Sequence, residues 1–128
     1  MVSQITRGIK ISVETCFEGT YFKNYKLHFA FSYVITIENH SKDSVQLTSR
    51  HWEIFDALNA TEYVDGEGVI GKKPVLKPGE SHSYSSGCLL TSPIGAMKGY
   101  FSMVNFTTTK TFRVVVPIFK LGAPFALN

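Results

Sequence analysis

Strict alternation of apolar and polar residues is the feature that most constrains how this chain folds. In the stretch HFAFSYVITIEN, residues 28–39, every second residue is apolar: Phe29, Phe31, Tyr33, Ile35 and Ile37. Successive side chains of a β-strand point to opposite faces, so this spacing predicts a strand with one face in a core. No stretch shows a clear helical period, and residues 19–27 are expected to form one helical turn at most.

The same two-residue period recurs along the 128 residues of the chain. It covers residues 9–15, 45–56, 61–65, 81–87, 95–106 and 111–121, with turn-forming segments between them. About seven short strands divided by turns predict an all-β sandwich of two antiparallel sheets. A chain of this length fits a single domain.

The phase of the alternation changes within residues 45–56. Val45 and Leu47 are odd-numbered, whereas Trp52 and Ile54 are even-numbered, so both pairs face the core only if a β-bulge lies around residues 49–51. The predicted core consists of Phe29, Phe31, Tyr33, Ile35, Ile37, Leu47, Trp52, Ile54, Phe101, Val114 and Val116.

The last predicted strand and one turn carry further expectations. Pro117 cannot donate a ladder hydrogen bond, which indicates an edge or a bulge at the end of the strand. Asn59, in the turn at residues 57–60, is suited to an unusual backbone angle. The alternating residues of the last strand are Phe112, Val114, Val116 and Ile118.

Two cysteines, Cys16 and Cys88, flank the single tryptophan, Trp52, and so imitate the Cys–Trp–Cys pattern of immunoglobulin domains. The tyrosine that such domains carry two residues before the second cysteine is replaced by Ser86. Residues 1–15 contain no continuous apolar stretch of the kind that directs secretion. We therefore expect two free thiols in a soluble, cytoplasmic protein without a membrane segment.

Charge and motif spacing argue against several function classes. The 13 basic and 10 acidic residues give a net charge of +3, and the basic residues do not cluster as in nucleic-acid-binding domains. The four histidines are too widely spaced for a metal-ligand motif, and no serine lies in a nucleophile elbow. We predict no catalytic residue, no metal, no cofactor and no nucleic-acid partner.

The stretch GEGVIG, residues 66–71, matches the dinucleotide fingerprint G-x-G-x-x-G. That fingerprint needs an apolar strand before it and a helix after it, but Pro74 and Pro78 follow closely and prevent a helix. The segment therefore predicts a glycine-rich loop that shapes a connection or contacts a partner. The candidate binding residues are Gly66, Glu67, Gly68, Gly71, Lys72 and Lys73. Successive amides with two lysines also suit a small anion.

The segment SRHW, residues 49–52, supplies a second candidate surface. The predicted bulge can re-aim Arg50 and His51 toward solvent, and bulges are frequent beside functional sites. We therefore expect Arg50 and His51 to adjoin the glycine-rich loop if that loop is functional. Alone, His51 and Glu53 are too few to predict a metal site.

Five motifs in order resemble the ApaG family: SRHW, GEGVIG with PVLKPGE, YSSG before Cys88, GAMKGYFSMV and a last strand ending VPIFKL. The resemblance spans residues 9–121 and implies an immunoglobulin/fibronectin-III-like β-sandwich. Residues 1–8 are then a flexible N-terminal extension and residues 122–128 a C-terminal tail. The family implies a small cytosolic protein associated with cobalt and magnesium resistance, and with a gene neighbourhood containing a diadenosine tetraphosphate hydrolase.

Two functions remain open at this point. The first is a non-enzymatic module that binds a protein partner, as related eukaryotic domains do, and that also forms a homodimer. The second is a protein that binds a small anion, a nucleotide polyphosphate or a divalent metal through the glycine-rich loop.

Overall fold

The computed structural model describes residues 1–126, in which nine strands form two antiparallel sheets. Sheet A has the order β1 (Val2–Thr6), β2 (Ile9–Lys23), β3 (Lys26–Asn39), β7 (Ser81–Leu90). Sheet B has the order β5 (Glu62–Glu67), β4 (Val45–Asp56), β8 (Ile94–Asn105), β9 (Thr111–Gly122), and the short β6 (Val75–Leu76) also pairs with β4. A 3₁₀ turn at Pro124–Ala126 follows the last strand. The predicted two-sheet sandwich is confirmed.

The core lies between the two sheets. Each predicted core residue is buried there except Ile54, which is half-buried and packs against the core from the same face. Trp52 meets the rings of Tyr33, Phe101 and Phe119 with centroid distances of 5.8, 6.0 and 5.9 Å. This aromatic cluster fixes the inward face of β4, so the residues on either side of Trp52 point outward.

Two bulges explain the broken alternation. In β4 the pairing passes from Leu47 with Met103 to Ser49 with Ser102, so the extra residue is Thr48. The bulge therefore lies one residue before the predicted position at residues 49–51, and the hydroxyl of Thr48 donates to the carbonyl oxygen of Ser102 at 3.1 Å. The sequence identifies the change of phase but not which residue is left over.

Pro117 lies at the second bulge, as predicted. Pro117 and Ile118 together stand opposite Lys98, between the pairs Gly99–Val116 and Met97–Phe119. The extra residue reverses the phase of β9, so Phe119 is buried while Ile118 is 60% exposed. The expectation that Ile118 continues the inward alternation is therefore wrong.

Three further expectations concern the ends and turns of the chain. Val2–Thr6 is a strand of sheet A and not a flexible extension, and the hydroxyl of Thr6 accepts a bond from the amide of Val115 at 3.3 Å. Residues 19–27 contain no helical turn, since they form the end of the β2–β3 hairpin. Asn59 is not among the residues with a positive φ, whereas Asn24 and Tyr25 in the β2–β3 turn have φ angles of 51° and 61°.

The residues after Pro117 fold back onto their own chain. Phe119 and Leu121 are buried in the core, and Phe125 lies 6.0 Å from Phe17 and 6.1 Å from Phe29, ring to ring. The first five residues of the expected tail at 122–128 thus pack on the sandwich. Its last two lie outside the described residues.

Both cysteines are free thiols, as expected. Cys16 pairs with Ser32 and Cys88 pairs with Phe31, so they flank β3 on opposite faces of sheet A. Burial raises the pKa of the Cys88 thiol to about 11, which keeps it protonated. Among residues 1–126 no helix is long and apolar enough to cross a membrane.

Candidate functional site

Arg50 lies against the glycine-rich loop. It pairs with Gly66 across β4 and β5, and its Nη1 donates to the carbonyl oxygens of Glu67 and Gly68, both at 2.9 Å. An ideal β-carbon on Gly66 would stand 2.7 Å from the guanidinium. Because Gly66 has no side chain, the Arg50 guanidinium can pass over β5 and bond the loop from the inner side of the sheet. Arg50 therefore adjoins the glycine-rich loop, as expected.

The glycine-rich loop is a small hairpin in which three amides already donate to backbone carbonyl oxygens. Gly68 N donates to Thr48 O at 2.9 Å, while Val69 N and Lys72 N exchange bonds with each other's carbonyl oxygens at 2.8 and 3.0 Å. A β-carbon on Gly68 would collide with the carbonyl of Lys72. A phosphate cradle needs successive amides that are free to donate, and the amides of Gly68, Val69 and Lys72 are already used.

Ile70 stands at the tip of this hairpin in a strained conformation. Its φ is 48° and its side chain is 59% exposed, whereas the neighbouring Val69 is 1% exposed and anchors the loop in the core. A β-branched residue in the left-handed region is an outlier that costs about 1–3 kcal/mol. The loop thus holds an apolar side chain in solvent at a cost in stability.

His51 points away from the loop, onto the outer face of sheet B. Its ring stacks between those of Tyr63 and Tyr100, with centroid distances of 6.3 and 4.8 Å. Its Nδ1 lies 2.6 Å from Asp65 Oδ1, and its Nε2 lies 3.7 Å from Glu53 Oε2. Two carboxylates therefore fix the ring from both of its nitrogens.

Arg113 extends this stack by one strand. Its guanidinium carbon lies 4.2 Å from the centroid of the Tyr100 ring, a cation–π contact. We call the four side chains Tyr63, His51, Tyr100 and Arg113 the aromatic row; they come from β5, β4, β8 and β9 in that order. The row crosses the outer face of sheet B from edge to edge.

The aromatic row and the glycine-rich loop form one continuous surface. Asp65 pairs with His51 and Glu67 pairs with Ser49, so the carboxylates of Asp65 and Glu67 share the outer face. Glu67 Oε2 in turn lies 3.4 Å from Lys73 Nζ. Of the predicted candidates, Arg50 supports this surface from below, while Glu67 and His51 lie on it.

Three members of the row, Tyr63, Tyr100 and Arg113, are absent from the candidates that the sequence suggests. Each of the three points outward from a strand of alternating pattern. Outward polar and aromatic residues are common on the solvent face of an antiparallel sheet, so they do not by themselves indicate a site. Their contact depends on the register of four strands, two of which contain bulges. The sequence indicates that these aromatic and basic residues point outward, but only the strand register shows that they contact one another.

The buried titratable groups on the inner face are poorly suited to act as nucleophiles. Burial raises the pKa of Tyr33 and raises that of Tyr84 well above its ordinary range. The Tyr84 hydroxyl is also buried without a hydrogen-bond partner. Residues 1–126 contain no group of three or more His, Cys, Asp or Glu placed to hold a metal ion. Fold and surface together define an immunoglobulin/fibronectin-III-like β-sandwich with a rigid, polar-aromatic sheet face.

Comparison with known proteins identifies a family within this class of fold. The model of the ApaG domain family matches residues 19–105. Protein ApaG of Beijerinckia indica is 44% identical over 126 residues, covering 98% of this chain and 96% of that protein. Protein ApaG of Brucella abortus is 40% identical over 124 residues, covering 97% and 95%.

Two solved structures agree in fold as well. A crystal structure described as the ApaA protein of Bordetella pertussis has a TM-score of 0.82 at 34% identity, covering 91% of this chain and 94% of that one. An X-ray structure of a structural genomics target has a TM-score of 0.86 at 33% identity, covering 91% and 88%. The chain belongs to the ApaG domain family.

Proposed function

We propose that this chain is a non-enzymatic binding module that recognises a protein partner through the aromatic row and the glycine-rich loop. The observation that carries the proposal is Ile70, an exposed, strained apolar residue on a loop that Arg50 holds in place. Strain of this kind persists where the surrounding structure imposes it, and it concentrates at ligand clamps. Stability alone gives no reason to place isoleucine there.

The aromatic row supports the same conclusion. Tyrosine and arginine dominate the residues that carry binding energy at protein interfaces. Stacking fixes Tyr100 between His51 and Arg113 before any partner arrives, so little side-chain entropy is lost on binding. Around the row, charges of both signs are arranged as in the polar rim of an interface: Asp65, Glu67, Lys72 and Lys73.

The cellular location and physiological role that we propose are those associated with the ApaG family. We place the module in the cytoplasm, where its two free thiols stay reduced, and in the association of ApaG proteins with cobalt and magnesium resistance. In this proposal the resistance acts through the bound protein rather than through metal ligation by the chain. The alternative is binding of an anion, a nucleotide or a metal through the glycine-rich loop. It is less well supported because three of the loop amides already donate to backbone carbonyl oxygens, two within the loop and one on β4.

Affinity capture with loop variants tests the proposal. Ile70→Asn removes the apolar tip but keeps a residue that tolerates the left-handed region, so the loop should keep its shape. Tyr100→Ala removes the centre of the row, and Leu58→Asn, at a 74% exposed apolar residue in the β4–β5 turn, is the matched control. We expect one protein to be retained by the wild type and the control and lost by both test variants. Equal capture by all four proteins would contradict the proposal.

A homodimer is a separate expectation. The residues that suggested it, Phe119, Leu121 and Phe125, pack on their own chain, which leaves Val115 and Ile118 as the exposed apolar residues of β9. Light scattering at micromolar concentration tests the expectation, and a mass of 14.3 kDa for the particle in solution would contradict it.

A further inference from the structure

A basic cavity opens at the end of the sandwich where three connections meet. Its volume is about 640 Å³, and it is lined by the β1–β2 turn, the β3–β4 loop and the β8–β9 loop. Each connection contributes one cation: Arg7, Lys42 and Lys110. We call this the end cavity. We propose that the end cavity binds a phosphate-type anion carrying two or more negative charges.

The charge of the end cavity is uncompensated. Among residues 1–126 no carboxylate forms an ion pair with Arg7, Lys42 or Lys110. Asp43 is the one acidic residue in the lining, so three cations face a single carboxylate. Like charges placed around one concave site repel each other, and an anion between them removes that repulsion.

Asp43 is committed to the scaffold and does not neutralise the cations by ion pairing. Its Oδ2 accepts a bond from Asn105 Nδ2 and its Oδ1 accepts one from Thr107 Oγ1, both at 3.0 Å. Hydrogen bonds from Asn105 and Thr107 lower the pKa of Asp43, with the charge of Lys42 adding to the effect. The carboxylate thus joins the β3–β4 loop to the β8–β9 loop.

The walls of the end cavity are fixed by a buried asparagine. Asn39 is 1% exposed, and its Nδ2 donates to the carbonyls of Asp43 and Leu76 at 2.8 and 2.9 Å. Its Oδ1 accepts from both the amide and the hydroxyl of Ser41. The amide of His40 donates to the carbonyl of Gly8 at 2.8 Å, which ties the β1–β2 turn to the same loop. The three cations are therefore carried on a preorganised frame.

Backbone strain is also found at this cavity. Arg7 has a φ of 48°, and Thr109, next to the lining residues Thr108 and Lys110, has a φ of 61°. Asparagine or glycine suits such a turn position better than arginine does. The conformation of the turn therefore does not explain an arginine at position 7. Binding of an anion by its guanidinium does explain it.

Titration calorimetry of the full chain with inorganic phosphate, pyrophosphate and phenyl phosphate tests the proposal. At low ionic strength we expect saturable 1:1 binding of pyrophosphate with a Kd below about 1 mM. Because Val45 and Phe112 add an apolar wall to the cavity, tighter binding of phenyl phosphate than of phosphate would identify an organic phosphate ester as the ligand class. The reverse order would identify a free inorganic anion.

Two charge-matched double variants locate the site. Arg7→Asn with Lys110→Gln should weaken pyrophosphate binding by at least about tenfold, since each lost cation contact contributes to affinity. Asn at position 7 also suits the turn, so this variant should remain folded. Lys72→Gln with Lys73→Gln removes the same charge from the glycine-rich loop and should change affinity less than about twofold. No saturable binding of any probe, or equal weakening by the two double variants, would overturn the proposal.

Discussion

The guanidinium of Arg50 occupies the space that a side chain on Gly66 would need, 2.7 Å from the ideal β-carbon position. This single relationship links the inner face of β4 to the glycine-rich loop, because the same guanidinium bonds the carbonyls of Glu67 and Gly68. The loop is thus supported from within the sandwich while its tip and charges face outward.

Removing the Arg50 support should destabilise the protein. Arg50→Ala leaves two carbonyls without their charged donor, and we expect a loss of about 1–3 kcal/mol in the free energy of unfolding. Urea denaturation measures it. The control is Lys120→Ala, an exposed change on the same sheet that should stay within about 0.5 kcal/mol. Equal stability of the two variants would show that Arg50 does not hold the loop.

Two glycines of the loop should differ in their response to alanine. Gly71 has a φ of 70° and open space around it, so Gly71→Ala should cost only the conformational penalty of about 1 kcal/mol. Gly68 has a φ of 61° and also faces the backbone carbonyl of Lys72, so Gly68→Ala must move the loop as well. In urea denaturation we expect Gly68→Ala to be less stable than Gly71→Ala by at least about 1 kcal/mol, since overpacking typically costs about 1–3 kcal/mol.

Relief of strain at Ile70 should raise stability. In Ile70→Gly the residue at the tip adopts a φ of 48° without a steric penalty, and we expect a gain of about 0.5–1 kcal/mol in thermal or urea unfolding. The proposed function predicts that the same change weakens partner binding. A variant that is both less stable and binds normally would contradict the role given to Ile70.

Asp56 should make stability depend on pH in the acid range. Burial raises its pKa, but hydrogen bonds from Ser92, Thr91 and Asn59 outweigh that effect and lower the pKa to about 2. The folded-state pKa lies below the ordinary 3.8, so the contribution is present above about pH 4 and is lost as the pH falls toward 2.

The measurement is the urea midpoint of wild type and Asp56→Asn between pH 7 and pH 2. The variant should be less stable by about 1–3 kcal/mol at pH 7, since Asp56 joins the β4–β5 turn to the β7–β8 turn. The difference between the two proteins should shrink as the pH falls. A constant difference across this range would contradict an ionised Asp56 as the source of the effect.

Alternation predicted most of the fold because burial on one face of a strand leaves a direct record in the sequence. Residues 28–39 carry that record for β3, and their odd-numbered apolar residues are in the core. Bulges disturb the alternation locally: the phase change indicates that β4 contains a bulge, but only the strand register shows that Thr48 is the extra residue. β1 went unrecognised because Val2–Thr6 is mostly exposed and shows no buried face.

The candidate site was predicted less completely than the fold. The spacing of the glycines predicts the loop. The change of phase in the alternation of residues 45–56 predicts a bulge that exposes Arg50 and His51. Apart from Glu53 of its own strand, the partners of His51 come from two other strands, and only the pairing of β4 with β5 and β8 brings Tyr63 and Tyr100 to its two sides. The end cavity likewise gathers single cations from positions 7, 42 and 110, whose proximity no local pattern records.

The order of strands in the two sheets has a consequence for the speed of folding. The β2–β3 hairpin closes through the two residues Asn24 and Tyr25, and hairpins of this kind form within about 1–10 μs. The sandwich is complete only when β3 pairs with β7, Phe29 with Leu90, and β4 pairs with β8, Val45 with Asn105. Such distant pairings pay the entropy of loop closure before their contacts form, so we expect these pairings, and not the local hairpins, to limit the rate of refolding.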